Sequence, residues 1–183
     1  MVVVWILLGV IAVAVVWIVF TYNRLVTFRT RADNGWSQID VQLRRRYDLI
    51  PNLVETVKGY AEHEREVFEH VTAARAQAIG AKGVEDQAQA ENVITADLGR
   101  LIAVAESYPD LKANQNFLAL QEELTGTESK IAYARQFYND QVMRLNTVIQ
   151  KFPASWIARR GHFEQRAFFN IEEPARGPVR VDL

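Results

Sequence analysis

Apolar side chains recur at alternating steps of three and four residues along positions 36–78, which places them on one face of a helix. The phase of this stripe does not slip at Pro51, although proline normally ends or kinks a helix because it lacks an N–H. We therefore predict one long helix with a bend at Pro51. A turn at Pro51 that makes two antiparallel helices is the alternative. The predicted core face includes Trp36, Leu43, Ile50, Val54, Val57 and Phe68.

The same periodicity predicts two further helices, over about 86–107 and about 111–151. Glycines after the first helix and a Tyr-Pro-Asp sequence at 108–110 mark the two connections. A capping-box spacing around Gly126 suggests a break, but the stripe keeps its phase on both sides, so we predict that the third helix is continuous. Pro153 ends it. Its predicted core face includes Leu124, Ile131, Tyr138 and Leu145.

The lengths of these helices predict that the bundle cannot cover its own core face. The helices over 36–78 and 111–151 would each measure roughly 60 Å, whereas the helix over 86–107 reaches only about 33 Å. Because burial stabilises large apolar side chains, either the C-terminal segment or a second copy of the chain should cover the remainder. We therefore predict an all-α antiparallel bundle that forms a homo-oligomer.

An uncharged apolar segment occupies positions 2–20 at the amino terminus. As a helix it would span roughly 28 Å, close to the hydrocarbon thickness of a bilayer. A cleaved signal peptide is the alternative. No basic region precedes the segment, however, and the apolar run continues beyond the small residues Ala12 and Ala14. We predict a retained transmembrane helix whose partner is the lipid bilayer.

Aromatic and basic residues flank this segment. Trp5 lies near one predicted interface with water, and Trp17 and Tyr22 lie near the other, where amphipathic rings are favoured. Basic residues close to a span tend to stay in the cytoplasm, and here they follow the span. We therefore predict a single-pass protein with its amino terminus outside and its domain in the cytoplasm. The basic residues of this predicted interface are Arg24, Arg29 and Arg31.

These patterns divide the chain into four predicted segments. They are a transmembrane anchor over 1–21, a juxtamembrane stalk over 22–35, a helical bundle over 36–153 and a C-terminal extended strap over 154–183. Extending the heptad phase toward the anchor places charged residues at core positions. Packing of the bundle should therefore begin near Trp36.

Two polar or irregular stretches have an alternative interpretation. The triplet Arg44-Arg45-Arg46 suggests binding to lipid headgroups, but we predict a solvated helix face whose arginine stems cover apolar surface. The strap loses the heptad pattern, and its apolar side chains suggest a docking tail, but an ordinary ordered tail is the interpretation we favour. The candidate docking residues are Phe163, Phe168, Phe169, Val179 and Val181.

Two long runs of residues resemble the bacterial LemA family. They are WSQIDVQLRRRYDLIPNLVETVKGYAEHE and, later, YPDLKANQNFLALQEELTGTESKIA. The resemblance extends from about Tyr22 to the end of the chain. It implies one N-terminal membrane helix followed by an antiparallel helical bundle, with no catalytic activity established for the family. One branch of the family is similar to proteins linked to magnetosome membrane formation, which implies a role in membrane organisation.

The residues that carry chemistry in other proteins are sparse here. The chain has no cysteine, and no histidine has the Glu-x-x-His spacing of a di-iron bundle. His63, Glu66 and His70 share a predicted helix face and could bind zinc, but a solvated charged face is the interpretation we favour. The formal net charge of −1 argues against a nucleic-acid partner. We predict no catalytic residue, no metal ion and no cofactor.

These expectations lead to three hypotheses about function. The first is a non-enzymatic scaffold of the bacterial inner (plasma) membrane that self-associates and organises membrane or membrane-protein partners. The second is a monomeric binding adaptor for a membrane protein complex such as a protease. The third is an uncharacterised enzyme, which would require a concave pocket with clustered ionisable groups.

Overall fold

A computed structural model of the chain describes residues 1–170. This part contains six helices and no strand, so the predicted all-α class is confirmed. Residues 163–170 follow the last helix without regular secondary structure. The helices are α1 (Val2–Lys58), α2 (Arg65–Gly80), α3 (Gly83–Glu106), α4 (Pro109–Lys112), α5 (Gln115–Gln150) and α6 (Ala154–Arg160).

Helix α1 passes through Pro51 without interruption. Proline has no N–H, so the carbonyl of Tyr47, four residues earlier, loses its partner within the helix. Arg75 of α2 replaces that partner, because its Nε donates a hydrogen bond of 2.7 Å to the Tyr47 carbonyl oxygen. A side chain from another helix thus satisfies the backbone group that the proline leaves unpaired.

The prediction of a single helix over 36–78 is wrong, and so is the alternative of a turn at Pro51. Helix α1 ends at Lys58, and a connection over 59–64 leads to α2. Glycine weakens a helix by about 1 kcal/mol relative to alanine, and Gly59 is the first residue outside α1. The apolar stripe keeps its phase across the break, because Val57 before it and Phe68 after it are both buried.

The remaining helices lie close to their predicted positions. Helix α3 begins three residues before the predicted start, and the region from 109 onward is divided into the short α4 and the long α5. Asn114 starts α5, since its Oδ1 accepts hydrogen bonds from the backbone N–H groups of Asn116 (2.9 Å) and Phe117 (3.1 Å). Helix α5 then continues through Gly126, as predicted.

The described residues form two compact units, and α1 and α5 contribute to both. Unit 1 consists of Met1–Val41 and Lys130–Phe168. Unit 2 consists of Gln42–Ser129 together with Phe169 and Asn170.

In unit 1, the residues of α1 and α5 are paired in antiparallel order. The rings of Trp36 and Tyr138 lie 5.6 Å apart, and a Cβ atom at Gly35 would lie only 3.1 Å from the Cα of Tyr138. Nearer the amino terminus of α1, a core cluster joins α1 to the end of α5, to α6 and to the segment that follows α6. Its buried members are Leu25, Phe28, Leu145, Val148, Ile157, Ala158 and Phe163.

Packing therefore begins about ten residues earlier than predicted. Leu25 and Ala32 are fully buried, so residues 22–35 are not a bare stalk. The expectation was wrong because it extended the repeat from Trp36, which is only half-buried. The buried positions are instead Leu25, Phe28, Ala32, Gly35 and Ile39, whose spacing is a regular heptad with glycine at one core position.

In unit 2, α2 and α3 are joined by a connection of two residues and pack side by side. They share a core with the end of α1 and the beginning of α5. The buried apolar side chains of this unit include Ile50, Leu53, Val57, Val71, Ile94, Leu98, Leu101, Leu111, Phe117 and Leu124.

Candidate functional site

The first part of α1 is an apolar surface without a protein partner. Residues 2–20 are all exposed, and the most apolar window of this helix has a mean hydropathy of 3.1. In the described part of the chain, α1 is the single helix long and apolar enough to cross a membrane. The tryptophans at both predicted interfaces, Trp5 and Trp17, are among its exposed side chains. This surface suggests membrane anchoring.

Directly after this apolar segment, aromatic and basic side chains are in contact. The ring of Tyr22 meets the ring of Phe163 edge-on at 5.6 Å. The guanidinium of Arg29 lies 5.0 Å from the centre of the Phe163 ring, and that of Arg24 lies 5.4 Å from the Phe28 ring. Contacts of this kind contribute about 0.5–1 kcal/mol at exposed sites. They hold the positive charges next to the end of the apolar segment.

Unit 2 contains a buried charged centre around Arg46, whose side chain is only 1% exposed. Its NH1 donates to Glu91 Oε2 at 2.9 Å, and its NH2 donates to Thr95 Oγ1 at 2.8 Å. Its Nε forms an ion pair with Glu128 Oε1 at 2.9 Å. One arginine of α1 thus binds two residues of α3 and one of α5.

The second oxygen of Glu91 is also satisfied. It accepts hydrogen bonds from the Tyr47 hydroxyl and from Gln87 Nε2, the latter at 2.9 Å. Burial, together with the hydrogen bond to Glu91, raises the pKa of Tyr47 far above its usual value. The phenol therefore stays protonated at physiological pH and donates to the carboxylate.

Glu128 completes the centre from the side that meets water, and its side chain is 40% exposed. Burial raises the pKa of this carboxyl; the positive charge of Arg46 opposes the shift, and the negative charge of Glu91 adds to it. This network can hold three helices in one register, which is a role that buried ionic groups have in some proteins.

This centre corrects the prediction of a solvated arginine triplet. Arg44 and Arg45 are exposed, and Arg45 forms a surface ion pair with Glu123 at 2.7 Å. Arg46 faces the opposite way into the core. Residue 46 lies seven positions after the buried Ile39 and seven before the buried Leu53, so the helix repeat itself turns its side chain inward.

An open groove of about 700 Å³ lies on unit 2 where the end of α1 meets α2. Its walls combine apolar side chains with the charges of Lys58, Arg65 and Glu69. Such a mixed surface fits a peptide or helix better than a small reacting molecule. The remaining lining residues are Val54, Phe68, Thr72, Ala73 and Ala76.

The segment after α6 folds back along unit 1. Asn146 and Arg166 exchange two hydrogen bonds of 2.9 Å, one through each group of the Asn146 amide. The hydroxyl of Tyr138 donates to the carbonyl of Ala167 at 2.9 Å, and Arg166 pairs with Asp33 at 2.7 Å. Burial raises the pKa of Tyr138, so this hydroxyl remains a donor.

The family model of the LemA family matches residues 35–183. The chain belongs to the LemA family. The resemblance that the sequence motifs suggest is thereby confirmed.

Curated relatives of this LemA family chain fall into two named groups. The chain is 26% identical to magnetosome protein MamQ of Magnetospirillum gryphiswaldense and 27% identical to magnetosome protein MamQ 2 of Paramagnetospirillum magneticum, with 84% of the chain aligned in each case. It spans 66% of the length of both relatives. It is also 25% identical to protein LemA of Metamycoplasma hominis, covering 86% of this chain and 72% of that protein.

Most of the predicted core residues of this LemA chain are buried, whereas Trp36 and Val54 are half-buried. The buried ones belong to the cores of the two units described above. Those in unit 1 are Ile131, Tyr138 and Leu145. Those in unit 2 are Leu43, Ile50, Val57, Phe68 and Leu124.

The candidate docking residues of the tail fall into three groups. Phe163 and Phe169 are buried, and Phe168 is largely exposed. Val179 and Val181 lie outside the described residues. Phe163 therefore serves the core of unit 1 rather than an external partner.

The three candidate zinc ligands do not share a helix face. His63 lies in the connection that precedes α2, whereas Glu66 and His70 lie on α2 and approach to 3.7 Å. Within residues 1–170, no group of three or more candidate ligands has the geometry to hold a metal ion.

The burial of two acidic residues on α3 was not predicted from the sequence. They are Glu91, which pairs with Arg46, and Asp97, which pairs with Arg100. Glu91 lies three residues before Ile94 and seven before Leu98, on the apolar face of that helix. That spacing was the available signal, since an acidic residue within an apolar stripe needs a buried cation nearby.

Proposed function

We propose that this LemA family chain is a non-enzymatic, membrane-anchored scaffold that self-associates and organises membrane or membrane-protein partners. It would reside in the bacterial inner membrane with its amino terminus outside and its helical units in the cytoplasm. Two relatives carry the name magnetosome protein, which fits the part of the proposal that concerns membranes.

The observation that carries the proposal is the continuity of α1. The unpartnered apolar segment and the core residues of unit 1 belong to one uninterrupted helix, so the folded part is attached to the segment without a hinge of irregular structure. Such a rigid connection suits a protein that holds partners at a fixed place near the bilayer. A tethered enzyme would not need this rigidity, because a flexible linker would serve it equally well.

Exposed aromatic side chains on α5 support self-association. Tyr133 is 77% exposed, and Phe137, one helical turn later, is 40% exposed, so the two lie on neighbouring positions of one surface. Met143 is also exposed. Covering side chains of this size stabilises an interface by roughly 1.5–3 kcal/mol each, and a second copy of the chain could cover them.

The oligomeric state of the full chain in lipid nanodiscs tests this proposal. Multi-angle light scattering should report more than one copy per particle for the wild type. Tyr133→Glu combined with Phe137→Glu should shift the population toward one copy, because each substitution places a charge on the proposed interface. Asn116→Glu combined with Thr125→Glu adds the same charge at exposed positions of α5 that lie about 12 Å or more from Tyr133 along the helix, and it serves as the control. A wild type that is monomeric at all concentrations would contradict self-association.

A binding adaptor is the second candidate, and the groove on unit 2 favours it. In that case the wild type is monomeric, and a partner segment occupies the groove beside α2. Ala76→Arg would fill the groove with a charged side chain at an exposed position and should abolish partner binding without changing the oligomeric state. A scaffold that depends on α5 should tolerate this substitution.

A further inference from the structure

The corner between α5 and α6 presents large aromatic side chains to solvent. Phe152 is 88% exposed and Trp156 is 61% exposed, although their neighbours Ile157 and Ala158 are buried in the core of unit 1. Three basic residues lie within four sequence positions of one of these rings, and all three are exposed: Lys151, Arg159 and Arg160. Aromatic rings with basic neighbours are typical of surfaces that meet the headgroup region of a bilayer.

The pairing of α1 with α5 shows which residues of α1 lie beside this corner. Trp36 meets Tyr138, and closer to the apolar segment Leu25 and Phe28 share a core with Leu145 and Val148. Each step forward along α5 is thus matched by a step back along α1. Continuing this antiparallel register brings Phe152 to the level of Tyr22, immediately after the apolar segment.

Tertiary contacts fix the corner at that level. Ile157 of α6 packs into the same cluster as Leu25, and the backbone N–H of Phe163 donates to the carbonyl of Ala158 at 2.9 Å. The Phe163 ring in turn contacts the ring of Tyr22. The exposed rings of the corner are therefore held beside the end of the apolar segment.

We propose that Phe152 and Trp156 insert into the headgroup region of the same bilayer that α1 crosses, while Lys151, Arg159 and Arg160 bind anionic lipid headgroups. This inference rests on the membrane anchoring in the proposed function. A single transmembrane helix can rotate about its axis and change its tilt, and interfacial anchors limit both motions. The corner is a second contact with the membrane, and it sets the direction in which unit 1 faces.

Quenching of tryptophan fluorescence by brominated lipids measures this contact on the native side chain. The full chain has four tryptophans. Trp36 is kept in every protein as a common background because it packs within unit 1. The test protein carries Trp5→Phe and Trp17→Phe, so that Trp156 is the second fluorophore.

Two matched proteins provide the controls. One carries Trp5→Phe and Trp156→Phe and retains Trp17, which reports on insertion of the apolar segment. The other carries Trp5→Phe, Trp17→Phe, Trp156→Phe and Tyr133→Trp, which places a fluorophore at an exposed position of α5. The same antiparallel register puts position 133 about 28 Å from the level of Tyr22. Circular dichroism verifies that all three proteins keep the wild-type helical content.

In vesicles of phosphatidylcholine and phosphatidylglycerol, the proteins that retain Trp17 and Trp156 should be quenched several-fold more than the Tyr133→Trp protein. Quenching at Trp17 without quenching at Trp156 overturns the proposed corner contact and leaves the anchor intact. Absence of quenching at both positions overturns the anchor as well. A blue-shifted Trp156 emission without lipid quenching means that protein covers the corner, which also overturns the proposal.

The basic residues are tested in the same vesicles. The combined substitutions Lys151→Gln, Arg159→Gln and Arg160→Gln should reduce quenching at Trp156 and remove its dependence on phosphatidylglycerol. The control removes the same charge elsewhere through Lys82→Gln, Lys112→Gln and Lys130→Gln, and it should leave quenching unchanged. An equal reduction in both proteins overturns the headgroup assignment, since it shows a general effect of net charge.

Discussion

Arg46 stands where the repeat of α1 requires an apolar side chain, between the buried Ile39 and Leu53. A charge in the core is costly unless it is paired and its hydrogen-bonding groups are satisfied. Glu91 and Thr95 accept hydrogen bonds from Arg46, and Glu128 adds a second ion pair. The residue is therefore compatible with the core only because two other helices bring these groups to it.

Replacing Arg46 by methionine should destabilise unit 2 by about 3–5 kcal/mol, because Glu91 would remain buried without its cation. Urea unfolding of the detergent-solubilised full chain, followed by circular dichroism, measures the loss. The variant Arg45→Met removes only a surface ion pair and should cost about 0–1 kcal/mol.

The double variant Arg46→Met with Glu91→Leu provides a second control. It removes both charges, so it should recover most of the stability that the single substitution loses. If the single variant unfolds at the same urea concentration as the wild type, Arg46 is not buried in the way described.

The raised pKa of Glu128 predicts a pH dependence of stability. A carboxyl whose pKa is higher in the folded state binds its proton more tightly there, so its contribution to stability is present below its unfolded pKa of 4.5 and is lost as pH rises through the folded pKa. The wild type should therefore lose stability relative to Glu128→Gln as the pH rises from the unfolded pKa of 4.5 through the higher folded pKa. Thermal unfolding of both proteins across this range measures the difference. A constant difference would contradict the raised pKa.

At the scale of elements, the helix continues through Pro51, as predicted, but it breaks at Gly59, where no break was expected. The proline lies inside α1 because Arg75 binds the carbonyl that it leaves free. The chain instead leaves the helix at Gly59. The continuity of α1 at Pro51 thus depends on Arg75, which belongs to the next helix, α2.

Arg75→Met should leave the Tyr47 carbonyl without this hydrogen bond and destabilise unit 2 by about 1–3 kcal/mol. Hydrogen exchange of the amides around Pro51 should accelerate, since the helix would open there more easily. Arg65→Met, at an exposed position of α2, is the matched control and should have little effect on either measurement. Unchanged exchange in Arg75→Met would show that the proline needs no external partner.

At the scale of the molecule, the two units differ in content. Unit 1 includes the apolar segment, the α5–α6 corner and the segment that folds back after α6. Unit 2 includes the charged centre of Arg46 and the groove beside α2. The match to the LemA family begins at residue 35, so the shared sequence comprises all of unit 2 and the later part of unit 1.

The orientation in the membrane is open to a direct test because the chain has no cysteine. A cysteine introduced by Val2→Cys should react with an impermeant maleimide in intact spheroplasts, whereas one introduced by Ser129→Cys should react only after lysis. The reason is the concentration of basic residues after the apolar segment, which favours the cytoplasm for that side. Labelling of the Ser129→Cys protein in intact spheroplasts would reverse the proposed topology.

The sequence by itself determined the features that depend on local composition and period. A charge-free run long enough for a bilayer, the helical class and the buried face of α5 are visible in consecutive residues, because each helix orders its side chains with one fixed repeat. The continuity of α5 through Gly126 follows from the same repeat.

Only the tertiary structure decided where the backbone breaks and which polar residues are buried. Periodicity reports the face that a side chain occupies, so it cannot distinguish a helix from two helices whose stripes remain in phase across Gly59. The burial of Arg46 depends on Glu91, which is 45 positions away in the chain. The early packing at Leu25 likewise depends on α5 and α6, because a side chain is buried only when a distant segment covers it.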